Sequence, residues 1–316
     1  MTSVGAAPSP QDVRAKLQRL LNIPLHRAAP RATTTIAAQE IGACRLETLA
    51  ITGSDGTPIP ALFTAPRDGQ EPFPAILYLH AHGNRYEIGK RELVDGRPSQ
   101  QSPPYGEALA RAGFAALCLD MPTFGDRSAA QESELAKRLL WQGRTLFGAM
   151  LQDLQVGLDV LSSRADVDPA RIGAMGLSMG ATHAFWLAAL DDRVQAIAHL
   201  CCFADLDWLV RHGAHDLHGI YMMVPGLLTE LSTGEIAASV APRPQLCCVG
   251  LADPLTPPRA VEIAATTVAE AYRRAGAEDH WTLHADPSGG HRETPQMRAL
   301  VLDHFRRHLG TLPAQT

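Results

Sequence analysis

Three residues of this 316-residue chain have the types and the order needed for nucleophilic acyl chemistry: Ser178, Asp253 and His291. Ser178 is the centre of Gly176-Leu177-Ser178-Met179-Gly180, which follows the apolar run Ile172–Met175 and precedes the apolar stretch Ala181–Leu190. A G-x-S-x-G pentapeptide is informative in that strand–turn–helix setting, because the sharp turn lifts the serine hydroxyl above a sheet edge. Glycines on either side are required where a side chain would strike neighbouring backbone. The helix that follows offers unpaired N–H groups and partial positive charge to a developing oxyanion.

A serine hydroxyl needs a base to take its proton and a third group to orient that base. Asp253 stands in Gly250-Leu251-Ala252-Asp253-Pro254, directly after the apolar run Gln245–Val249. Among thirteen histidines, only His291 has a loop position preceded by flexible glycines, Gly289-Gly290. His280, His284, His304 and His308 fall on or beside a strand and a helix, and Asp205, Asp207, Asp216 and Asp286 read better as caps or solvated charges. The chain order Ser, Asp, His, each after a predicted strand, fits one active edge.

The run Leu77–Asn84 ends another predicted strand with a polar turn. Its backbone N–H groups, Asn84 first and Gly83 or His82 as alternatives, are candidates to complete an oxyanion hole with the N–H of Met179. His80 and His82 read as loop-bracing rather than metal-binding. His212, His215 and His218 lack an acidic or thiol partner, and Gly213 and Gly219 interrupt any helix that would present them, so they read as solvated or pocket-lining. His82, Tyr86, Phe124, Trp208, Tyr221 and Met222 are candidate pocket residues, with core packing as the competing role. The loop from Tyr86 to Ser102, with Lys90, Arg91, Glu92, Asp95 and Arg97, reads as a solvated loop of mixed charge.

These residues need a scaffold. A helix is predicted over Pro10–Asn22 and a hairpin over Cys44–Thr52 and Pro58–Thr64, turning at Ser54-Asp55-Gly56. Strands are predicted at Ala75–His80, Ala115–Asp120, Arg171–Gly176, Val194–Cys201, Gln245–Gly250 and Trp281–Ala285, with helical spacing over 146–161 and 297–305. Continuous apolar strands alternating with helices imply an α/β fold: a mostly parallel sheet covered on both faces. The expected organisation is one domain, with residues 1–72 as an N-terminal helix and hairpin. Residues 203–243, after the sixth predicted strand, are far longer than usual connections and suggest a cap or lid.

Hydrophobic residues make up 46% and charged residues 19% of the chain, a globular balance. A net charge of −5 without a basic block argues against nucleic acid, and no window approaches a membrane span. The segment Met1–Gln11 has neither a basic nor an apolar leader pattern, and the six cysteines lack a C-x-x-C, so a reducing, cytoplasmic setting is expected. No nucleotide-binding glycine motif occurs; neither a cofactor nor a metal is expected. A homo-oligomer is left open.

With these motifs the chain resembles the α/β-hydrolase superfamily over about Ala75–Leu309. More narrowly it is similar to dienelactone-hydrolase-like and acetyl xylan esterase-like proteins, through Pro104–Gly113, Asp120–Asp126, Tyr221–Leu228 and Ala241–Pro244. The resemblance implies a cofactor-free Ser-Asp-His hydrolase of small carboxylic esters. It departs at the elbow, where dienelactone hydrolases carry Cys and this chain carries Ser178. The expectation is therefore hydrolysis of a small soluble ester, acetylesterase-like, through an acyl-enzyme. The same triad acting on amides, acyl transfer to another acceptor, and a non-catalytic binding protein are the alternatives.

Overall fold

A computed structural model describes residues 8–26 and 28–310. The first seven residues of the Met1–Gln11 segment lie outside that range. The strands are β1 (Thr33–Ile41), β2 (Cys44–Thr52), β3 (Pro58–Pro66), β4 (Phe73–Leu79), β5 (Ala115–Leu119), β6 (Val167–Leu177), β7 (Ala196–Leu200), β8 (Gln245–Gly250) and β9 (Trp281–Asp286). The helices are α1 (Pro10–Leu21), α2 (Glu92–Asp95), α3 (Tyr105–Arg111), α4 (Glu132–Trp141), α5 (Leu146–Ser163), α6 (Met179–Leu190), α7 (Leu206–Arg211), α8 (Thr233–Ala238), α9 (Pro258–Arg274) and α10 (Pro295–Leu309).

All nine strands form one sheet in the order β1-β2-β3-β5-β4-β6-β7-β8-β9. The first four in that order pair antiparallel and the remainder parallel. The α/β architecture matches the sequence expectation, with one strand more. β1 is exposed at every residue, so it carries no inward apolar face for a periodicity to reveal. Its presence places the long insertion after the seventh strand rather than the sixth.

The central strands are buried on both faces, and alternate residues feed two cores. Leu77, Leu117 and Ala174 pack with α5 and α6; Ile76, Ala116 and Met175 pack with α3 and α10. Every residue of α6 is buried, which is why its sequence is apolar all round. α1 is set by local chemistry. Ser9 and Asp12 form a capping box, Pro10 opens the helix, and Val13, Leu17 and Leu21 fix it to the domain. All six cysteines are free and buried. Among the described residues no helix is long and apolar enough to cross a membrane.

The parallel register positions the site. Leu79 pairs with Gly176, Leu177 with Leu200, Leu200 with Cys248 and Gly250 with Asp286. The loops that follow β4, β6, β8 and β9 therefore leave the sheet at one rim, the usual ligand edge of such sheets.

Candidate active site

Ser178 sits at that rim in a backbone conformation rare for a side-chain-bearing residue, φ 58° and ψ −119°. Its N–H donates to the carbonyl of Leu200 at 2.8 Å, which anchors the turn to β7. The flanking glycines are dictated by crowding. A Cβ on Gly180 would lie 1.9 Å from the Leu79 carbonyl oxygen, and one on Gly176 would lie 2.5 Å from the same atom.

His291 reaches Ser178 from the loop after β9. Its Nε2 lies 2.9 Å from the Ser178 Oγ, and its Nδ1 lies 2.7 Å from Oδ2 of Asp253. The Asp253 carboxylate is buried and its Oδ1 accepts the Leu255 N–H at 2.9 Å. A carboxylate at Nδ1 places that ring proton on Nδ1 and leaves Nε2 to receive the serine proton. The two loops are held together by main chain. Ala252 N–H donates to Gly289 O at 2.9 Å, and a Cβ on Gly250 would stand 2.2 Å from that oxygen.

The fourth loop, 80–84, is braced from below. Arg97 donates to the carbonyls of Ala81 and His82, and its guanidinium pairs with the buried carboxylate of Glu92. Glu92 also accepts the Tyr78 hydroxyl at 2.7 Å and the Ala81 N–H at 3.0 Å. Lys90 is likewise buried, between Asp120 and Asp126. The 86–102 segment is thus no solvated loop. Lys90, Glu92 and Arg97 are spent on buried pairs while Arg91 and Asp95 pair with each other on the surface, and composition alone cannot tell the two apart. The fully buried His80 accepts the Met121 N–H and is pushed down to about 4 by burial.

Asn84 N–H, the first-choice loop donor, already donates to Nδ1 of His82 at 3.0 Å. The N–H groups of Met179, His82 and Gly83 have no protein acceptor among the described residues. Turn geometry decided this, and turn geometry is invisible in a polar Gly-bearing run.

Ser178 opens into a cavity of about 140 Å³ lined by His82, Gly83, Asn84, His291, and Leu217, His218, Gly219 and Tyr221 of the insertion. His218 is one of the three histidines expected to be solvated or pocket-lining, and it lines this cavity. Its Nε2–H donates to Leu255 O at 3.2 Å, and burial, followed by the nearby His215, pushes it down to about 4. Of the other pocket candidates, Tyr86 lines a neighbouring groove and Phe124 is fully buried beside His82. Trp208 stacks on His212 instead, at 3.9 Å between ring centres. Met222 lines a second, apolar void of about 20 Å³ with Thr182, Phe185, Trp186, Cys202 and His218.

The chain is similar to proteins already known. The family described as "Dienelactone hydrolase family" matches residues 101–203. The chain is 37% identical over 286 residues to the Bacillus subtilis protein called "Putative hydrolase YtaP", covering 90% of this chain and 95% of that protein. A glucuronoyl esterase from Solibacter usitatus superposes with a TM-score of 0.68 at 16% identity, covering 98% of this chain and 96% of that one. Acetyl xylan esterase 1 from Thermoanaerobacterium sp. JW/SL YS485 superposes with a TM-score of 0.63 at 18% identity, covering 96% and 95%. At those identities the two esterases share the fold with this chain.

Proposed function

The chain belongs to the dienelactone hydrolase family, and from that premise we propose that it is a serine esterase that hydrolyses a small soluble ester whose acyl group is acetyl, through an acyl-enzyme. The observation that carries this is the hydrogen-bonded line from Ser178 through His291 to Asp253, opening into a cavity of about 140 Å³. Ligand pockets for drug-sized molecules run from roughly 300 Å³ upward, so this one favours a small substrate.

The Oγ of Ser178 attacks the ester carbonyl carbon as its proton passes to Nε2 of His291. Asp253 holds the imidazolium that forms. The carbonyl oxygen takes the developing charge, facing the N–H of Met179 and a loop N–H. Since His82 occupies the Asn84 donor, the loop donor is the N–H of Gly83 or of His82. His291 then protonates the leaving alcohol, and water attacks the acyl-serine by the reverse proton route. Serine and imidazole at 2.9 Å are already within proton-transfer reach.

The test is turnover of matched ester and amide substrates, with an acyl series from acetate upward. Ester over amide and acetate over longer acyl groups is expected; a strong amide preference overturns the proposal.

A further inference from the structure

Glu132 takes no part in the Ser178–His291–Asp253 line, yet its carboxylate is buried, 6% exposed, at the first turn of α4. Its Oε2 accepts from two donors, Nε2–H of His82 and the Tyr86 hydroxyl, the latter at 3.3 Å. A buried carboxylate is costly without such donors, and the positive end of α4 adds to what holds it.

His82 carries the effect onward. Its Nδ1 accepts the Asn84 N–H at 3.0 Å. A neutral imidazole has one N–H. With Nδ1 acting as acceptor, the proton must sit on Nε2, and Glu132 is what receives it there. The ring is also confined by the stacked Tyr221 and by the edges of Tyr86 and Phe124, with centres 5.1–5.4 Å away. The turn so held places both Gly83 and Asn84 in the left-handed region, at φ 53° and 54°. Gly83 and Asn84 of this turn line the Ser178 cavity.

We propose that Glu132 is a positioning residue for the oxyanion loop, acting through the tautomer of His82. The inference rests on the serine-esterase proposal for the same site. Without Glu132 the ring proton is free to move to Nδ1, which then cannot accept from Asn84, and the 82–84 turn loses the bond that holds its shape. Oxyanion donors act because they are set before the reaction.

The test compares E132A and E132Q in the full-length protein, on a short acetate ester. E132A should lower kcat by about ten- to hundredfold, short of the 10²–10³ lost with a whole oxyanion donor, with KM little changed. A boronic acid, which becomes a tetrahedral anion on Ser178, should lose affinity in step. E132Q keeps an oxygen for Nε2–H and should recover most of the loss. In an H82N background the effect of E132A should vanish, since the coupling runs through the imidazole.

An unchanged kcat in E132A, equal loss in E132A and E132Q, or full additivity with H82N overturns the proposal. If E132A does not fold, E132D, whose shorter side chain cannot reach Nε2, is measured in its place. Labelling of wild-type Ser178 by a fluorophosphonate reports separately on the esterase proposal. A labelled wild type with an indifferent E132A therefore defeats the positioning role alone.

Discussion

Oγ of Ser178 and Nε2 of His291 lie 2.9 Å apart although 113 residues separate them. Nothing local joins them; the parallel register of β6 to β9 does, by ending four strands at one rim. If that pair is the nucleophile and its base, Ser178→Ala should lower kcat on p-nitrophenyl acetate by about 10⁶-fold. Asp253→Asn, which favours the wrong imidazole tautomer, should cost about 10⁴-fold. Near-normal turnover in the serine variant would falsify the assignment.

Gly180→Ala places a methyl 1.9 Å from the Leu79 carbonyl, an atom of the sheet that cannot swing aside. Overpacking of this kind costs about 1–3 kcal/mol. Because the displaced element carries Ser178, activity should fall further than the melting temperature suggests. Thermal melts and kcat measured together check this, and a fully active, equally stable variant counts against the elbow as described.

Arg97→Ala should destabilise the protein by about 3–5 kcal/mol, since it strands the buried Glu92 carboxylate. Chemical denaturation measures it. A change within the range of an ordinary surface ion pair, below about 1 kcal/mol, would show that the clamp is dispensable.

The void beside Met222 holds about 20 Å³, little more than the 10–15 Å³ that one water needs. If the acyl group enters there, acetate esters should outrun butyrate esters. Met222→Ala should then raise kcat/KM for butyrate relative to acetate. An unaltered acyl profile in that variant places the acyl group elsewhere.

Burial pushes His80 and His218 down to about 4, and His183, His199 and His304 down to about 3, from the usual 6.5. Unfolding exposes imidazoles that bind protons below pH 6.5, so between there and pH 3–4 the unfolded chain holds more protons than the folded one. Stability should therefore fall as pH drops through that window and be indifferent to these groups above it. His304→Gln should flatten the descent. A melting temperature constant from pH 7 to about 4 is the contrary result.

Much of the sheet was legible because buried parallel strands must be apolar on both faces. Gln245–Gly250 was anticipated to the residue, and most of the other central strands within one or two. β1 was not, because a strand exposed on both faces has no pattern to read. Ser178, Asp253 and His291 stood out because each follows a strand in the expected order. The buried roles of Lys90, Glu92 and Arg97 did not, since a charge looks the same in sequence whether water or a partner receives it. Glu132 was equally silent. Its meaning arises only where α4 meets the 80–84 turn, 50 residues away in the chain.

The front wall of the Ser178 cavity comes from Leu217, His218, Gly219 and Tyr221, all on one excursion between β7 and β8. None of the three residues that would break and form bonds lies on it. If the chain is the esterase proposed, much of its choice among esters and the chemistry it performs on them are written in separate stretches of the polypeptide. Rewriting residues 217–221 offers a route to new substrates that leaves the reacting atoms where they stand.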